Sequence, residues 1–203
     1  MRMNATSFPG RLHACALATV LATALAAAPA MADNVPAANA KGAEKYLGGL
    51  SLLDQDGKQV DLYRDLIAGR SVVIHTFFAG CGASCPASMA TLKAVQERLG
   101  KRLGPEVRLV SITVDPFHDT PAALKEYATR VGAQPGWTFL TGSEKQVAEA
   151  LRRVGLFVND PGAHQDIMVV GNMRTGLWKK VHGTAASATV VKLIMGVADD
   201  TGQ

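Results

Sequence analysis

The chain has 203 residues, of which 48% are apolar and 19% charged, ordinary proportions for a globular protein long enough to bury a full core without disulfide staples. Its formal charge is +4, but Arg2 and Arg11 fall in a segment expected to be removed, and what remains is 19 basic against 17 acidic side chains. That excess is too small for a nucleic-acid partner, and no run of Lys and Arg supplies an electrostatic footprint.

Residues 1–32 read as a signal peptide. Arg2 and Arg11 make a positive start, residues 12–28 are apolar and alanine-rich, and Ala30-Met31-Ala32 is a small-x-small cleavage site. The mature chain is expected to begin near Asp33 in the periplasm. Retention as a membrane anchor is the weaker alternative, because spanning needs about 20 strongly apolar residues. Cys15 stands before the apolar run, where it is not a lipidation site, and is lost with the signal. Membrane contact is then expected only through a partner or an uncleaved N-terminal segment.

Residues 33–46, rich in Ala, Asn and Pro, read as a flexible linker, with one domain over 47–203. Leu50 to Leu62 has two short apolar runs around Asp56-Gly57, the signature of a hairpin. Ser71 to Phe78 is a continuous β-branched and aromatic run, as in a strand buried on both faces. Cys85 to Leu99 is a helix with Met89, Leu92, Val95 and Leu99 on one face and Gly100 as its stop. Val107 to Val114 is a second buried strand, and Thr120 caps a helix with Pro121 in its first turn. Trp137 to Leu140 is a short strand, and Ser143 to Gln146 is a capping box opening a helix to Arg153. Gln165–Val170 and Gly176–Val181 are expected to be strands joined through Gly171-Asn172, and Thr184–Val197 a closing helix. The pattern predicts an α/β domain with a central mixed sheet flanked by helices and an N-terminal β-hairpin.

The chemistry concentrates in Phe77-Phe78-Ala79-Gly80-Cys81-Gly82-Ala83-Ser84-Cys85-Pro86, where a buried strand gives way to a helix. Free N–H groups and the positive end of the helix dipole favour thiolate over thiol there. Pro86 suits the first helical turn, where its missing N–H costs nothing. With Cys15 removed, Cys81 and Cys85 are the only cysteines, and the loop between them is too short to staple a domain. Spacing of i and i+4 puts two sulfurs on one side of a helical turn, able to share a metal or close a disulfide. A structural zinc site wants four ligands, where the mature chain has two cysteines and few histidines, and an iron–sulfur cluster needs more thiolates, whereas two thiolates and an imidazole suit copper. On position and compartment alone, metal binding and redox chemistry stand level.

Cys81-Gly-Ala-Ser-Cys85-Pro86 after a Phe-rich strand resembles the Cys-x-x-x-Cys-Pro motif of the Sco/SenC family, copper proteins that help assemble cytochrome c oxidase. Val114-Asp115-Pro116-Phe117-His118-Asp119-Thr120-Pro121 is similar to that family's Val-Asp-Pro-x-x-Asp-Thr-Pro segment, Leu53 to Gly57 to its entry hairpin, and Gly136 to Gly142 to its third strand. The likeness runs from about Gly49 to about Val181. It implies a thioredoxin-like fold in which Cys81, Cys85 and a later histidine hold one copper. In the family that histidine precedes a late strand within Asp-His-Ser. Here His164 occupies the place, flanked by Ala163 and Gln165, and the downstream Tyr and Asp-x-x-Gly are replaced by Val169 to Arg174.

Of the other histidines, His75 lies inside a strand and reads as a core residue, His118 is the runner-up ligand in an Asp-rich loop, and His182 ends a late strand. Asp115 either orients a ligand or, with Asp119, serves turn and cap chemistry. Met89 and Met168 read as core.

The resemblance implies a metallochaperone carrying Cu(I), with Cu(II) as a second state, to cytochrome c oxidase subunit II or another periplasmic copper protein. The alternative is a thiol–disulfide oxidoreductase, in which Cys81 and Cys85 are the redox-active pair and reduce the cysteines of the recipient copper site. Against a general thioredoxin stand the Cys-x-x-x-Cys spacing and the lack of a proline directly before Gln165. A peroxiredoxin would need Thr-x-x-Cys, which is absent. A copper sensor or store without delivery is the third class.

Overall fold

The computed structural model describes residues 34–35, 40–80, 85–160, 166–183 and 185–202. The expected signal segment 1–32 lies outside them.

The run Ser71–Phe77 forms β4, buried along its whole length and central in an eight-stranded mixed sheet of order β1-β8-β7-β4-β5-β6-β2-β3. β4 pairs in parallel with β5 (Val107–Thr113), which pairs in parallel with β6 (Trp137–Thr141). On its other side β4 runs antiparallel to β7 (Ile167–Asn172), and β7 to β8 (Leu177–His182). The hairpin of β2 (Ser51–Asp54) and β3 (Gln59–Asp61) extends the sheet beyond β6. Its turn follows from Asp54, whose carboxylate accepts the N–H groups of Asp56 and Lys58 at 2.9 Å, and from Gly57 at φ 76°. A positive φ is the backbone state that glycine adopts without steric cost.

Alternation along β4 divides the core between the sheet's two faces. Val73 and Phe77 point to the side covered by α2 (Cys85–Leu99), α3 (Pro121–Val131) and α5 (Ser187–Ala198). Val72 and Ile74 point to the side covered by α1 (Ala40–Leu47) and α4 (Glu144–Arg153). The helix starts follow their capping residues. Thr120 accepts the Ala123 N–H ahead of Pro121, and Ser143 and Gln146 form both arms of a capping box. On α2 the four apolar residues read from the sequence are all buried. Gly100 does end this α-helix, but the chain continues as a tighter turn over Gly100–Arg102.

Two expectations are corrected, and one element is added that the sequence did not suggest. First, residues 33–46 are not all linker. Asn34–Val35 forms β1, paired with Lys179 and Trp178 of β8, and Ala40–Leu47 forms α1, which buries Ala43 and Leu47 in the core. The short apolar spacing in Ala43 to Leu47 becomes a helix because a neighbouring face is there to cover it. Second, Leu62–Ile67, not assigned from the sequence, is one wide helical turn closed by an i→i+5 bond from Ala68 N–H to the Tyr63 carbonyl at 2.8 Å, with Leu62, Tyr63, Leu66 and Ile67 buried. Third, Gly171-Asn172 is not the turn between the last two strands. Both residues pair inside the ladder, opposite Trp178 and Leu177. The reversal is made by residues 173–176, with Gly176 at φ 76°. The buried Asn172 side chain donates to the carbonyls of Val197 and Asp200 at 3.0 Å, tying β7 to the end of α5. Gly171 seats the Trp178 ring, and a Cβ there would lie 2.5 Å from it.

Gly171→Ala is therefore expected to cost about 1–3 kcal/mol through overpacking, read as a lower urea midpoint with the slope unchanged.

Candidate metal site

Parallel pairing of β4 with β5, and antiparallel pairing of β4 with β7, brings three chain segments to one edge of the sheet. They are the exit from β4 at Phe77, the exit from β5 at Thr113 and the entry to β7 at Ile167. Loops beyond the carboxyl ends of parallel strands are where α/β proteins place ligands. Along the chain, Cys81 follows Phe77 by four residues and His164 precedes Ile167 by three. Cys85 is the first residue of α2, so its backbone stands at the positive end of the helix dipole. Cys81 and His164 lie outside the described residues, as does the side chain of Cys85.

The described walls of this edge are tightly specified. Phe77 is buried against Tyr127 at 5.1 Å and Phe139 at 5.2 Å, the latter edge-to-face, and Phe139 stacks on Trp137. Such aromatic contacts contribute about 0.5–1.5 kcal/mol each beyond burial. The Trp137 indole N–H donates to the Ser111 hydroxyl at 3.0 Å. The end of β4 is thus anchored before the cysteine segment starts.

The next residues are held by a carboxylate. Asp119, only 2% exposed, accepts the Ala79 N–H with both oxygens, at 3.0 and 3.2 Å, and the Thr113 hydroxyl at 2.5 Å. The loop between β5 and α3 thereby grips the chain two residues before Cys81. Burial pushes the Asp119 carboxyl above its ordinary pKa, and the bonds from Thr113 and Ala79 work in the opposite direction. Turn and cap chemistry is one of the two readings that the sequence offers for Asp115 with Asp119. The capping hydroxyl is that of Thr120, as expected, while Asp119 turns inward to the neighbouring loop.

On the other wall, His75 in β4 is a core residue as expected, 2% exposed, with its Nε2 3.8 Å from the Asp166 carboxylate. Asp166 follows His164 by two residues. Its carbonyl accepts the Gly183 N–H at 2.7 Å, and a Cβ at Gly183 would run into its carboxylate. Sequence reasoning missed Asp166, which has no motif, and missed that His182 pairs opposite Ile167 and so reaches the same edge. Met89 and Met168 are buried in the core, as read. His118 and Asp115 lie on the loop that ends with Asp119, their side chains paired at 2.7 Å. Among the described residues, no three His, Cys, Asp or Glu side chains gather closely enough to hold a metal.

The family model for SCO1/SenC matches residues 38–174. The chain belongs to the SCO1/SenC family. The SCO1 protein homolog of Bacillus subtilis is 31% identical over 118 residues, covering 57% of this chain and 60% of that protein. A SCO2-like protein of Rickettsia conorii is 33% identical over 113 residues, covering 56% and 53%. The chain therefore spans between half and two thirds of the length of these curated relatives. Among solved structures, yeast Sco1 with copper bound superposes with a TM-score of 0.60 at 25% identity, over 76% of this chain and 90% of that one. BsSco, reported with a disulfide switch and as a member of the Sco family of cytochrome c oxidase assembly proteins, gives 0.59 at 26% identity, over 73% and 90%. The fold is thioredoxin-like, as the resemblance in the sequence implied.

Asp119→Ala is expected to strand the Ala79 N–H and the Thr113 hydroxyl and to cost about 1–3 kcal/mol. Amide exchange at Ala79 should accelerate by more than global destabilisation explains. Asp115→Ala, which leaves the grip intact, should not show that local acceleration.

Proposed function

We infer that this chain is a periplasmic copper metallochaperone that holds one copper through Cys81, Cys85 and His164 and delivers it to a copper protein such as subunit II of cytochrome c oxidase. The observation that carries the reading is the convergence at one sheet edge of the β4 exit, the start of α2 and the β7 entry, the stems of the segments bearing those three residues. The donor chemistry agrees. Two soft thiolates with a neutral imidazole suit Cu(I), and the helix N-terminus lowers the cost of keeping Cys85 deprotonated. Copper-bound yeast Sco1 is a structural relative.

Copper is cargo here, and release matters as much as binding. A site at the sheet edge lets a partner sulfur displace one ligand at a time, so the metal passes between proteins without entering water. Asp119 and the aromatic cluster under Phe77 hold one stem in place, and Asp166 with Gly183 holds the other. The periplasmic address rests on residues 1–32 alone.

The disulfide switch reported for BsSco favours a second reading, in which Cys81 and Cys85 cycle between dithiol and disulfide and reduce the recipient's cysteines. The two readings separate at His164, which copper needs and thiol exchange does not.

The reduced chain, loaded anaerobically with Cu(I) and freed of excess, should retain about one copper. His164→Ala should weaken retention by at least about tenfold while sparing disulfide exchange, and Cys81→Ser should abolish both. No retained copper in the wild type would overturn the metallochaperone reading and leave the oxidoreductase.

A further inference from the structure

The loop between β5 and α3 carries a histidine that neither the fold nor the three expected ligands require. The His118 side chain is 73% exposed, and its Nδ1 lies 2.7 Å from a carboxylate oxygen of Asp115. A carboxylate only accepts, so Nδ1 carries a proton, and in the neutral imidazole Nε2 is the nitrogen with the bare lone pair. Metal-binding imidazoles are oriented in this way, by a second carboxylate on the far nitrogen. No described residue hydrogen-bonds to that Nε2.

The arrangement is rigid for a surface loop. Asp115 is fixed by its own N–H on the Thr113 hydroxyl at 2.9 Å, and the Asp119 N–H donates back to the Asp115 carbonyl at 3.0 Å. Phe117 packs edge-on against the imidazole, with ring centres 4.9 Å apart. Phe117 is itself 86% exposed, one of only two large apolar side chains left in water among the described residues. An exposed aromatic beside an oriented imidazole thins the water around it, which favours a soft, weakly hydrated ion over a hard one. The loop is also fastened to the cysteine segment. Asp119, the residue after His118, grips Ala79, and the two residues from Ala79 to Cys81 span at most ~7 Å.

We propose that His118 is a transit ligand, taking Cu(I) at Nε2 as the cargo enters or leaves the Cys81–Cys85 pair. This rests on the copper reading above and adds a fourth donor to it, used in passage and not at rest. The exchange is balanced without an oxidant or a proton acceptor. A bond from Nε2 to copper forms as one copper–ligand bond of the resting site breaks, the copper remains Cu(I), and the neutral imidazole loses no proton.

The test is a transfer rate set against an equilibrium. The Cu(I)-loaded chain is mixed rapidly with bicinchoninate in excess, and copper transfer is followed by absorbance. His118→Ala should slow transfer about tenfold while leaving the copper retained at equilibrium unchanged. Asp115→Ala should slow it less, because the imidazole remains but is no longer oriented. His118→Met, which restores a soft donor, should recover much of the rate. Equal rates for wild type and His118→Ala would overturn the proposal, as would a slowing that Met does not rescue. A second measurement does not depend on the cysteines. In the Cys81→Ser/Cys85→Ser chain, Ag(I), a closed-shell stand-in for Cu(I), should shift the His118 Nε2 nitrogen resonance, and an unmoved resonance would overturn the proposal. Failure of the wild type to retain copper would instead sink the metallochaperone reading, and the silver titration would then decide on His118 alone.

Discussion

A carboxylate shut away from water and bonded to a backbone N–H of another loop is the constraint on which the functional edge of this molecule depends. Asp119 is buried, and burial raises the cost of its charge, yet it accepts from Ala79 and Thr113 at once. Left alone, the exit from β4 would be an ordinary surface loop with an unsatisfied amide. With Asp119 in place, the exit from β4, the end of β5 and the cap of α3 become one hydrogen-bonded unit. Two residues later comes Cys81, and the chain leading up to it is held by the aromatic cluster under Phe77 and by this grip.

The sheet supplies the second half of the design. A parallel pair alone would bring together the exits of β4 and β5. Inserting β7 antiparallel on the other side of β4 adds the entry of a late strand to the same edge. That is how residues more than eighty positions apart in sequence come to share one end of the sheet. The antiparallel pair β7–β8 also carries His182 and Gly183 to this end, and Gly183 fixes Asp166 by leaving room for its carboxylate.

The edge combines fixed and accessible parts, which is what the proposed hand-over of a metal requires. The stems are buried and bonded. The 115–118 loop stands out in water, with Phe117 and His118 presented but braced by Asp115. Binding without release would favour a closed pocket, and release without binding would favour a mobile loop. A braced, exposed loop on a rigid base meets both demands.

Much of this was legible in the sequence because it is local. The buried strand at Ser71–Phe77, the helix at Cys85–Leu99, the caps at Thr120 and Ser143, and the Asp56-Gly57 turn each follow from residues within one or two turns of one another. The Cys-x-x-x-Cys-Pro and Val-Asp-Pro-x-x-Asp-Thr-Pro motifs carried the family, and the spacing of two sulfurs is what the proposed chemistry starts from. Gly171-Asn172 misled, because a pair that makes turns when exposed serves here as a seat for Trp178 and a tie to α5, contacts that exist only once the helix is packed. Asp119, Asp166 and helix α1 escaped for the same reason. The sequence by itself determined which elements form and which donors are available. Only the tertiary structure decided which loop grips which and which strand ends meet, because those contacts join residues far apart along the chain and depend on sheet order and direction, which no local pattern encodes.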